Sequence, residues 1–448
     1  MKTHRYKASL ALLALSSLML SGCGSGGDGG TDGSDQSDAS ACAPSDGKVT
    51  LTYTSWIPNI GEVIEVWNEQ HPDIQVDVQT GPSGNAGTYQ NFFNQLKAGN
   101  APDLGQIEYD ALPNFRVQDG LMNIAACEAV VKAESEFIDW TWNQVTLGGD
   151  DGVYAIPQDT GPMALYYRSD LFKANGIEVP STWEEFAEAA VEVKEAGGHI
   201  TNFSPTDVNW FAGLVWQADG QWFEVTDDQW NVNLTGAKSK QVAEYWQQLV
   251  EKDLVTTHPG FTEEWNNAYN SGEVWAWPSA VWGANSLISG APDTAGKWSV
   301  VKMPQWEEGA VSAGNWGGSS TAVFKGSEHP YEATKFALWL NTSEEALTLL
   351  NKKANLYPAT VEGLELPVLS EGVEFYGGQP IYDVFAKAAK NVEPDFVFGP
   401  TMTQTYADVS DGFGQAVSGK GTLFEALTRG ERLTVQALQA QSIPVAGD

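Results

Sequence analysis

The stretch of sequence that decides the fold spans residues 49–78 and reads VTLTYTSWIPNIGEVIEVWNEQHPDIQVDV. Its first six residues alternate apolar with polar side chains, as a half-buried strand does. Four apolar residues then recur at helical spacing, namely Ile60, Val63, Ile64 and Trp67. The pair His71-Pro72 ends that pattern, and alternation returns at residues 74–78. A strand, a helix and a second strand within about 30 residues predict a βαβ unit, the building block of a parallel sheet.

The same pattern repeats further along the chain. Residues 89–96 predict a second helix, which the sequence Gly-Asn-Ala-Pro at 99–102 closes, and residues 104–107 predict a third strand. Helical patterns return at residues 183–196, 239–251, 327–340 and 422–439. The predicted fold class is therefore α/β.

Three loops that follow the first strands carry polar and aromatic side chains. In open α/β sheets, ligands bind beyond the carboxyl ends of the strands. These loops contain Trp56, Ser83 and the run Glu108-Tyr109-Asp110. Flat rings that stack on the C–H face of a sugar, next to carboxylates that accept from its hydroxyls, are typical of a site for a polyhydroxylated ligand.

Charge and composition exclude several classes of protein. The chain has 448 residues, with 58 acidic and 24 basic side chains and a formal net charge of −34. Such a field repels phosphate backbones and anionic headgroups, so we expect no nucleic-acid partner. With 42% hydrophobic residues, 18 Trp, 18 Phe and 14 Tyr, the chain is not a disordered acidic tail. Its length suits two domains, and the Trp surplus favours a ligand with several stacked units.

The N-terminus has the features of an export signal. Lys2, Arg5 and Lys7 precede an apolar run at residues 8–20, which is too short for a membrane span, so residues 1–22 read as a signal peptide. The run ends in Leu-Ser-Gly-Cys23, which resembles a bacterial lipobox, in which the Cys is diacylated after cleavage. We therefore expect a protein on the outside of the cell membrane, anchored by lipid at Cys23. An ordinary secretory signal followed by a chance Cys is the alternative.

A flexible linker follows at residues 23–47, rich in Gly, Ser and Asp and without a basic residue. The two remaining cysteines are Cys42 and Cys127. An exported pair is expected to form a disulfide, which would fasten the end of the linker to the folded body and stabilise it by about 4–5 kcal/mol on the chain-entropy model. Two free buried thiols are the alternative.

Motifs in a fixed order resemble one family. They are AGNAPDLGQIEYD (98–110), YAIPQDTG (154–161), YRSDLF (167–172), PSTWEEF (180–186), NSGE (270–273) leading to Trp282, SAGNWGGS (312–319) and SGKGTLFEAL (418–427). Together they resemble the carbohydrate-binding extracellular solute-binding proteins of ABC importers (family 1), which include maltose-binding protein and which carry a lipobox in Gram-positive bacteria. The resemblance covers residues 48–440.

The resemblance implies a bilobal, periplasmic-binding-protein-like fold with open sheets and several hinge crossings. The N-terminal lobe would comprise residues 48–158 and 313–362, and the C-terminal lobe residues 159–312 and 363–448. It further implies a monomer that closes over a neutral oligosaccharide in the interlobe cleft and then docks on the membrane permease subunits of an ABC transporter.

The same resemblance suggests further ligand-binding residues. They are Gln158, Asp159, Trp216, Trp282, Asn315, Trp316, Gly317 and Tyr406, in addition to the loop residues Trp56, Ser83, Glu108, Tyr109 and Asp110. Trp282 and Tyr406 match stacking positions, although Trp282 can equally pack in the core with Trp275 and Trp277. At Gly161 the chain lacks a carboxylate of maltose-binding protein, which argues against maltose-like recognition.

No catalytic or metal motif accompanies these residues. The five His are scattered without metal-binding spacing, and no G-x-S-x-G sequence occurs. We therefore expect no cofactor, no metal and no enzymatic activity. Two alternatives stay open: a secreted carbohydrate-active enzyme that uses two of the many carboxylates, and a binding protein for a solute other than a sugar.

Overall fold

The computed structural model describes residues 42–147, 152–226 and 229–446. The predicted signal peptide and the lipidation site Cys23 lie outside these residues. Its strands are β1 (Val49–Ser55), β2 (Ile74–Thr80), β3 (Leu104–Glu108), β4 (Ala155–Pro157), β5 (Met163–Arg168), β6 (Thr201–Asn202), β7 (Phe223–Thr226), β8 (Gln229–Val232), β9 (Val255–Thr256), β10 (Ala276–Ala280), β11 (Trp298–Lys302) and β12 (Ser319–Val323).

Helices fill the rest of both halves. They are α1 (Ile60–Gln70), α2 (Thr88–Ala98), α3 (Leu112–Val117), α4 (Glu128–Ala133), α5 (Asp139–Val145), α6 (Ser169–Asn175), α7 (Trp183–Glu195), α8 (Val208–Gln217), α9 (Ala237–Glu251), α10 (Glu263–Ser271), α11 (Gly283–Gly290), α12 (Pro330–Thr342), α13 (Glu344–Ala354), α14 (Tyr382–Ala389), α15 (Met402–Val417) and α16 (Leu423–Ala440). None of the helices in the described part of the chain is both long and apolar enough to cross a membrane.

A five-stranded sheet forms the centre of the first lobe, with strand order β2-β1-β3-β12-β4. Strand β1 pairs in parallel with β2 over its whole length and with β3 at its carboxyl end, as the βαβ pattern predicts. Strand β12, from much later in the chain, joins β3 antiparallel. We call this sheet and the helices packed on it the N-terminal lobe.

A second body forms around the antiparallel sheet β10-β5-β11, with two small sheets, β6-β9 and β7-β8, beside it. Helices α6 and α14 pack on β5 and β11, while α15 and α16 pack against each other and against α8 and α9. We call this body the C-terminal lobe. The α/β bilobal fold expected from the sequence is thus the fold that the chain adopts.

The chain passes between the two sheets at three places. The first passage joins β4 to β5, and the second joins β11 to β12. A third follows α13, where Pro358 forms an isolated bridge with Asp159 of the first passage. The three segments therefore lie close together and form one hinge region between the lobes.

Local sequence explains where the predicted helices begin. Helix α7 starts after Thr182, whose hydroxyl accepts from the backbone N–H of Glu185. The Glu185 carboxylate in turn accepts from the Thr182 N–H, which completes a capping box. One prediction was misplaced: α12 begins at Pro330 rather than near residue 327. Proline has no N–H to donate, so it sits in the first turn of the helix.

The N-terminal segment is fastened to the amino edge of the five-stranded sheet. Cys42 and Cys127 form a disulfide with a Cα–Cα distance of 5.3 Å. Beyond it, the Ser45 N–H and hydroxyl both donate to the Glu332 carboxylate at the start of α12. The bond therefore joins the linker to the edge of the lobe opposite the carboxyl ends of the parallel strands.

Candidate functional site

The carboxyl ends of β1, β2 and β3 meet at one edge of the N-terminal lobe. Trp56 follows β1 and is half-buried, with its ring centroid 5.8 Å from that of Tyr89. The Tyr89 hydroxyl donates to Glu108 Oε2 at 3.0 Å and accepts from the Glu108 N–H at 2.9 Å. Tyr89 thereby positions Glu108. The sequence pattern counted Tyr89 only as one of the apolar residues of α2, so this role was missed.

The loop after β2 reaches the opposite lobe. Ser83 is exposed and precedes a short turn of 3₁₀ helix at residues 84–86. A Cβ at Gly84 would lie 2.2 Å from the Tyr89 ring, so only glycine allows this close approach. The next residue, Asn85, accepts from the Thr403 hydroxyl of α15 at 3.1 Å. The loop is therefore one of the contacts across the cleft.

Two passages between the lobes are bonded to each other. Asn315 Oδ1 accepts from the Gly161 N–H at 2.8 Å, and Asn315 Nδ2 donates to the Gly317 carbonyl at 2.7 Å. The Trp316 N–H donates to the Gly161 carbonyl at 2.8 Å. A Cβ at Gly161 would lie 1.9 Å from the Trp316 carbonyl oxygen. Steric exclusion at the hinge therefore requires glycine at position 161.

Gln158 and Asp159, on the first passage, point to different surroundings. Gln158 is fully buried within the N-terminal lobe, where its Nε2 donates to Thr321 and Asn341. Asp159 is half-buried, and its Oδ1 accepts from the Ser319 N–H and hydroxyl at 2.7 and 2.5 Å. Of the two, only Asp159 lies toward the site.

A small cavity lies between the lobes. Its lining residues are Asp110, Asn209, Ala212, Gly213, Trp216, Asn315, Gly317, Gly318, Phe398 and Tyr406. The cavity measures about 10 Å³, which is room for one water molecule. Both lobes and the hinge contribute to the lining, so the structure is a closed state, and a larger ligand enters only when the lobes separate.

Asp110 and Tyr406 come to this cavity from opposite lobes. The Tyr406 side chain, on α15 of the C-terminal lobe, and the Asp110 carboxylate of the N-terminal lobe both line this cavity. Burial raises the pKa of Asp110 to about 6. Burial and the neighbouring charges of Asp110 and Glu108 raise the pKa of Tyr406 well above its usual value. Asp110 Oδ1 is buried and accepts no hydrogen bond from the described residues, so it is an acceptor available to a ligand.

Two further carboxylates flank Asp110. Burial, followed by the charge of Asp110, raises the pKa of Glu108 to about 8, and burial raises that of Asp159 to about 6. Among the described residues, no Lys, Arg or His forms an ion pair with any of the three. We call Glu108, Asp110 and Asp159 the acidic edge. It offers strong hydrogen-bond acceptors without a fixed counter-charge.

Two aromatic candidates are more deeply buried than their sequence positions suggested. Tyr109 is 1% exposed and its ring packs edge-on against Trp140, so it does not line the cavity. Trp216 is also 1% exposed and lies on α8. It lines the cavity, but one face of its ring stacks on Phe396 at 4.4 Å, and its Nε1 donates to the Glu393 carbonyl. In this closed state, the Trp216 ring packs between the lobes.

A group of aromatic rings lies on the C-terminal lobe beside the hinge. Its members are Phe261, Trp265, Trp277, Trp282 and Trp316, and we call it the aromatic cluster. Trp282 is half-buried, and its Nε1 donates to the Trp316 carbonyl at 2.9 Å. Trp316 itself is 4% exposed. The Trp282 ring therefore packs in a cluster that reaches the hinge.

The arrangement suits recognition rather than metal chemistry. Hydrogen-bond acceptors and flat rings lie near one another at the cleft, and a sugar ring uses both kinds of contact. No group of three or more His, Cys, Asp or Glu gathers in metal-binding geometry within the described ranges. Of the candidates for the ligand site, the structure brings together Asp110, Trp216, Asn315, Gly317 and Tyr406 around one cavity, with Glu108, Asp159, Trp282 and Trp316 beside it.

Comparison with known sequences gives one family. The model of the bacterial extracellular solute-binding proteins matches residues 50–347, about two thirds of the chain. The arabinooligosaccharide-binding protein of Halalkalibacterium halodurans is 26% identical over 334 residues, covering 72% of this chain and 74% of that protein. The lactose-binding protein of Rhizobium radiobacter is 27% identical over 368 residues, covering 78% and 84%.

Comparison with solved structures gives the same fold. The galacto-N-biose/lacto-N-biose I-binding protein of the ABC transporter from Bifidobacterium longum, solved with lacto-N-biose, superposes with a TM-score of 0.80. It is 28% identical in sequence, and the alignment covers 90% of this chain and all of that one. The similarity therefore extends over both lobes and the hinge.

Proposed function

We propose, from the premise that this chain belongs to the bacterial extracellular solute-binding proteins, that it captures a neutral oligosaccharide for import by an ABC transporter. The interlobe cleft would be the binding site, and hinge closure would enclose the sugar. The relatives named for arabinooligosaccharides, lactose and lacto-N-biose support a carbohydrate ligand.

The observation that carries this proposal is the closed cavity itself. Asp110 from one lobe and Tyr406 from the other line it together, with Trp216 and the hinge residues Asn315 and Gly317 in the same lining. Asp110 Oδ1 is buried there without a hydrogen-bond donor among the described residues. In the open protein, the Asp110 carboxylate would be free to accept from sugar hydroxyls, and closure would then enclose those bonds.

Charge supports a neutral ligand. None of the ten residues that line the cavity is Lys, Arg or His. The acidic edge lies beside it, so an anionic sugar, such as a uronic acid or a sugar phosphate, would meet repulsion without a compensating cation. The chemistry favours unmodified hydroxyls as hydrogen-bond donors.

The ligand-binding residues are proposed to be those gathered at the cleft. They are Trp56, Ser83, Glu108, Asp110, Asp159, Trp216, Trp282, Asn315, Trp316, Gly317 and Tyr406. Tyr109 and Gln158 would support these residues by packing beneath them, because both are buried within the N-terminal lobe.

The decisive experiment is calorimetry of the purified mature protein against a glycan panel. The panel would contain arabino-oligosaccharides of two to five units, lactose, lacto-N-biose and a uronic-acid disaccharide. We expect binding of at least one neutral oligosaccharide and none of the uronic acid. Release of products from a chromogenic glycoside would instead favour the carbohydrate-active enzyme, and binding of no glycan would favour a solute of another class.

The anchoring and the lobe boundaries are proposals of the same kind. We propose a lipid anchor at Cys23, a monomer that docks on permease subunits, and lobes at residues 48–158 with 313–362 and 159–312 with 363–448. The disulfide at the amino edge of the sheet supports the anchor, because the linker would then leave the body on the side away from the cleft. Cys23→Ser should release the protein from the membrane fraction, and retention there would contradict this.

A further inference from the structure

One aromatic side chain differs from all others in the described part of the chain. Phe261 is 46% exposed, whereas every other described Phe, Trp and Tyr is buried or half-buried. Phe261 does not stand alone, because its ring adjoins that of the half-buried Trp282.

The backbone of Phe261 is also strained. Its φ is +61°, in the left-handed region that bulky side chains rarely adopt. A bulky residue persists in this conformation only where its surroundings impose it. Glycine would adopt the same conformation without strain.

The surrounding loop imposes this conformation. Asn202 Oδ1 accepts from the His258 N–H at 2.8 Å, and Asn202 Nδ2 donates to the His258 carbonyl at 3.0 Å. The Gly260 N–H donates to Ser204 Oγ at 2.8 Å. A Cβ at Gly260 would lie 2.0 Å from an oxygen of Asp207, so the loop is pressed against that carboxylate. The loop before Phe261 is therefore fixed at several points.

The fixed ring faces the aromatic cluster and continues toward the cleft. Its centroid lies 5.9 Å from that of Trp282 and 6.2 Å from that of Trp316. The hinge residues on both sides of Trp316 line the interlobe cavity, as does Asn209, which follows the segment that holds the loop. Phe261 is thus linked through Trp316 to residues that line the cavity.

We propose that Phe261 is the platform of an outer subsite, on which a further ring of a neutral oligosaccharide stacks when inner rings occupy the cleft. The inference rests on the proposed function and deepens it, because it assigns a residue that sets chain-length preference. The half-buried Asp207 carboxylate lies against Gly260, the residue before Phe261, and is a hydrogen-bond acceptor close to this subsite.

A purely structural role predicts different behaviour. A ring that stabilised the fold would be buried, and its removal would lower the melting temperature. Phe261 is nearly half exposed and strained, so Phe261→Gly should leave the melting temperature unchanged or raise it. Measuring both the melting temperature and the glycan affinity of Phe261 variants therefore distinguishes a ligand-stacking role from a structural role.

The test is calorimetry on the full mature chain with arabino-oligosaccharides of two to five units and with lactose and its longer galacto-extended homologues. For the series that the wild type binds, we expect Phe261→Ala to lower the affinity ratio of the longest member to the disaccharide about tenfold. Phe261→Tyr, which keeps the ring, should restore the ratio. Val191→Ala, a similarly exposed site on α7, is the matched control and should change nothing.

The outcomes distinguish the two proposals. If the wild type binds neither series and no other neutral glycan of the panel, both the proposed function and this inference are overturned. If the wild type binds but Phe261→Ala keeps the same ratio, or if Phe261→Gly lowers the melting temperature, only the outer subsite is overturned.

Discussion

The acidic edge and the aromatic cluster lie beside the same hinge and differ in nearly every physical property. The acidic edge consists of three carboxylates whose pKa values are raised by burial, with no cation paired to them in the described residues. The aromatic cluster consists of five rings that contact one another, with Trp282 also hydrogen-bonded to the hinge. Burying the acidic edge without a ligand costs free energy, because its carboxylates lose water without gaining donors from a sugar. The rings of the aromatic cluster already contact one another in this structure.

This difference suggests how the site separates capture from closure. Removing aromatic rings from water costs little free energy of desolvation. The aromatic cluster can therefore be preorganised in the C-terminal lobe. Carboxylates lose solvation on closure and need donors in return. A sugar supplies such donors through its hydroxyls, whereas Asp110 Oδ1 accepts from none of the described residues in the closed structure.

The largest effect should come from breaking the acidic edge at its centre. Asp110→Ala removes a charged acceptor, and hydrogen bonds to charged groups contribute about 1.5–3 kcal/mol, so affinity for the preferred glycan should fall roughly 10- to 150-fold. Calorimetry would measure it. Asp139→Ala, an exposed carboxylate at the start of α5, is the control. Equal dissociation constants for wild type and Asp110→Ala would remove Asp110 from the site.

A smaller loss is expected from the aromatic side. Trp282→Ala deletes a half-buried ring and should weaken binding about tenfold, since a stacking contact contributes about 0.5–1.5 kcal/mol beyond its buried area. Trp282→Phe should recover part of the loss. Intrinsic fluorescence titration checks both variants, and an unchanged affinity in Trp282→Ala would assign this ring to packing alone.

The last prediction concerns the stability of the protein without ligand and its dependence on pH. The pKa of Glu108 is raised to about 8 by burial and by Asp110, so the folded, closed state holds its proton more tightly than the unfolded chain. The Glu108 contribution to the free energy of unfolding is fully present below about pH 4.5, where the carboxyl is protonated in both states. This contribution is lost as the pH rises toward 8.

Glu108→Gln should abolish this decrease in stability with rising pH, because the amide is never ionised. The variant should be more stable than the wild type at pH 8 by about 1–2 kcal/mol, with the difference vanishing near pH 4, after allowance for partial exposure. Melting curves at several pH values measure it. A difference that grows toward low pH would reverse the assigned sign.

Much of this organisation follows from the sequence, and the exceptions are instructive. The alternating and helical patterns of residues 49–78 predict β1, α1 and β2, because local periodicity reports which face of an element is buried. The ordered motifs predict the passages around Gly161 and Asn315. The Trp surplus was less informative than expected, since 13 of the 18 Trp are buried in the core.

The residues that the sequence missed or misplaced depend on distant partners. Trp216 packs on Phe396, which lies far along the chain, so no local pattern shows that one face of its ring is occupied. Tyr89 has the spacing of a core residue in α2, yet its hydroxyl positions Glu108. Phe261 is exposed only because hydrogen bonds from Asn202 and Ser204 fix the loop before it.

The sequence by itself determined the fold class, the family and the edge of the sheet where polar loops gather, because these depend on periodicity and on short motifs. Only the tertiary structure decided which of the candidate side chains share a cavity, which rings remain accessible and which carboxylates lack a cation. Those properties depend on packing between segments remote in sequence, where burial and unpaired charge are set by neighbours that local patterns do not identify.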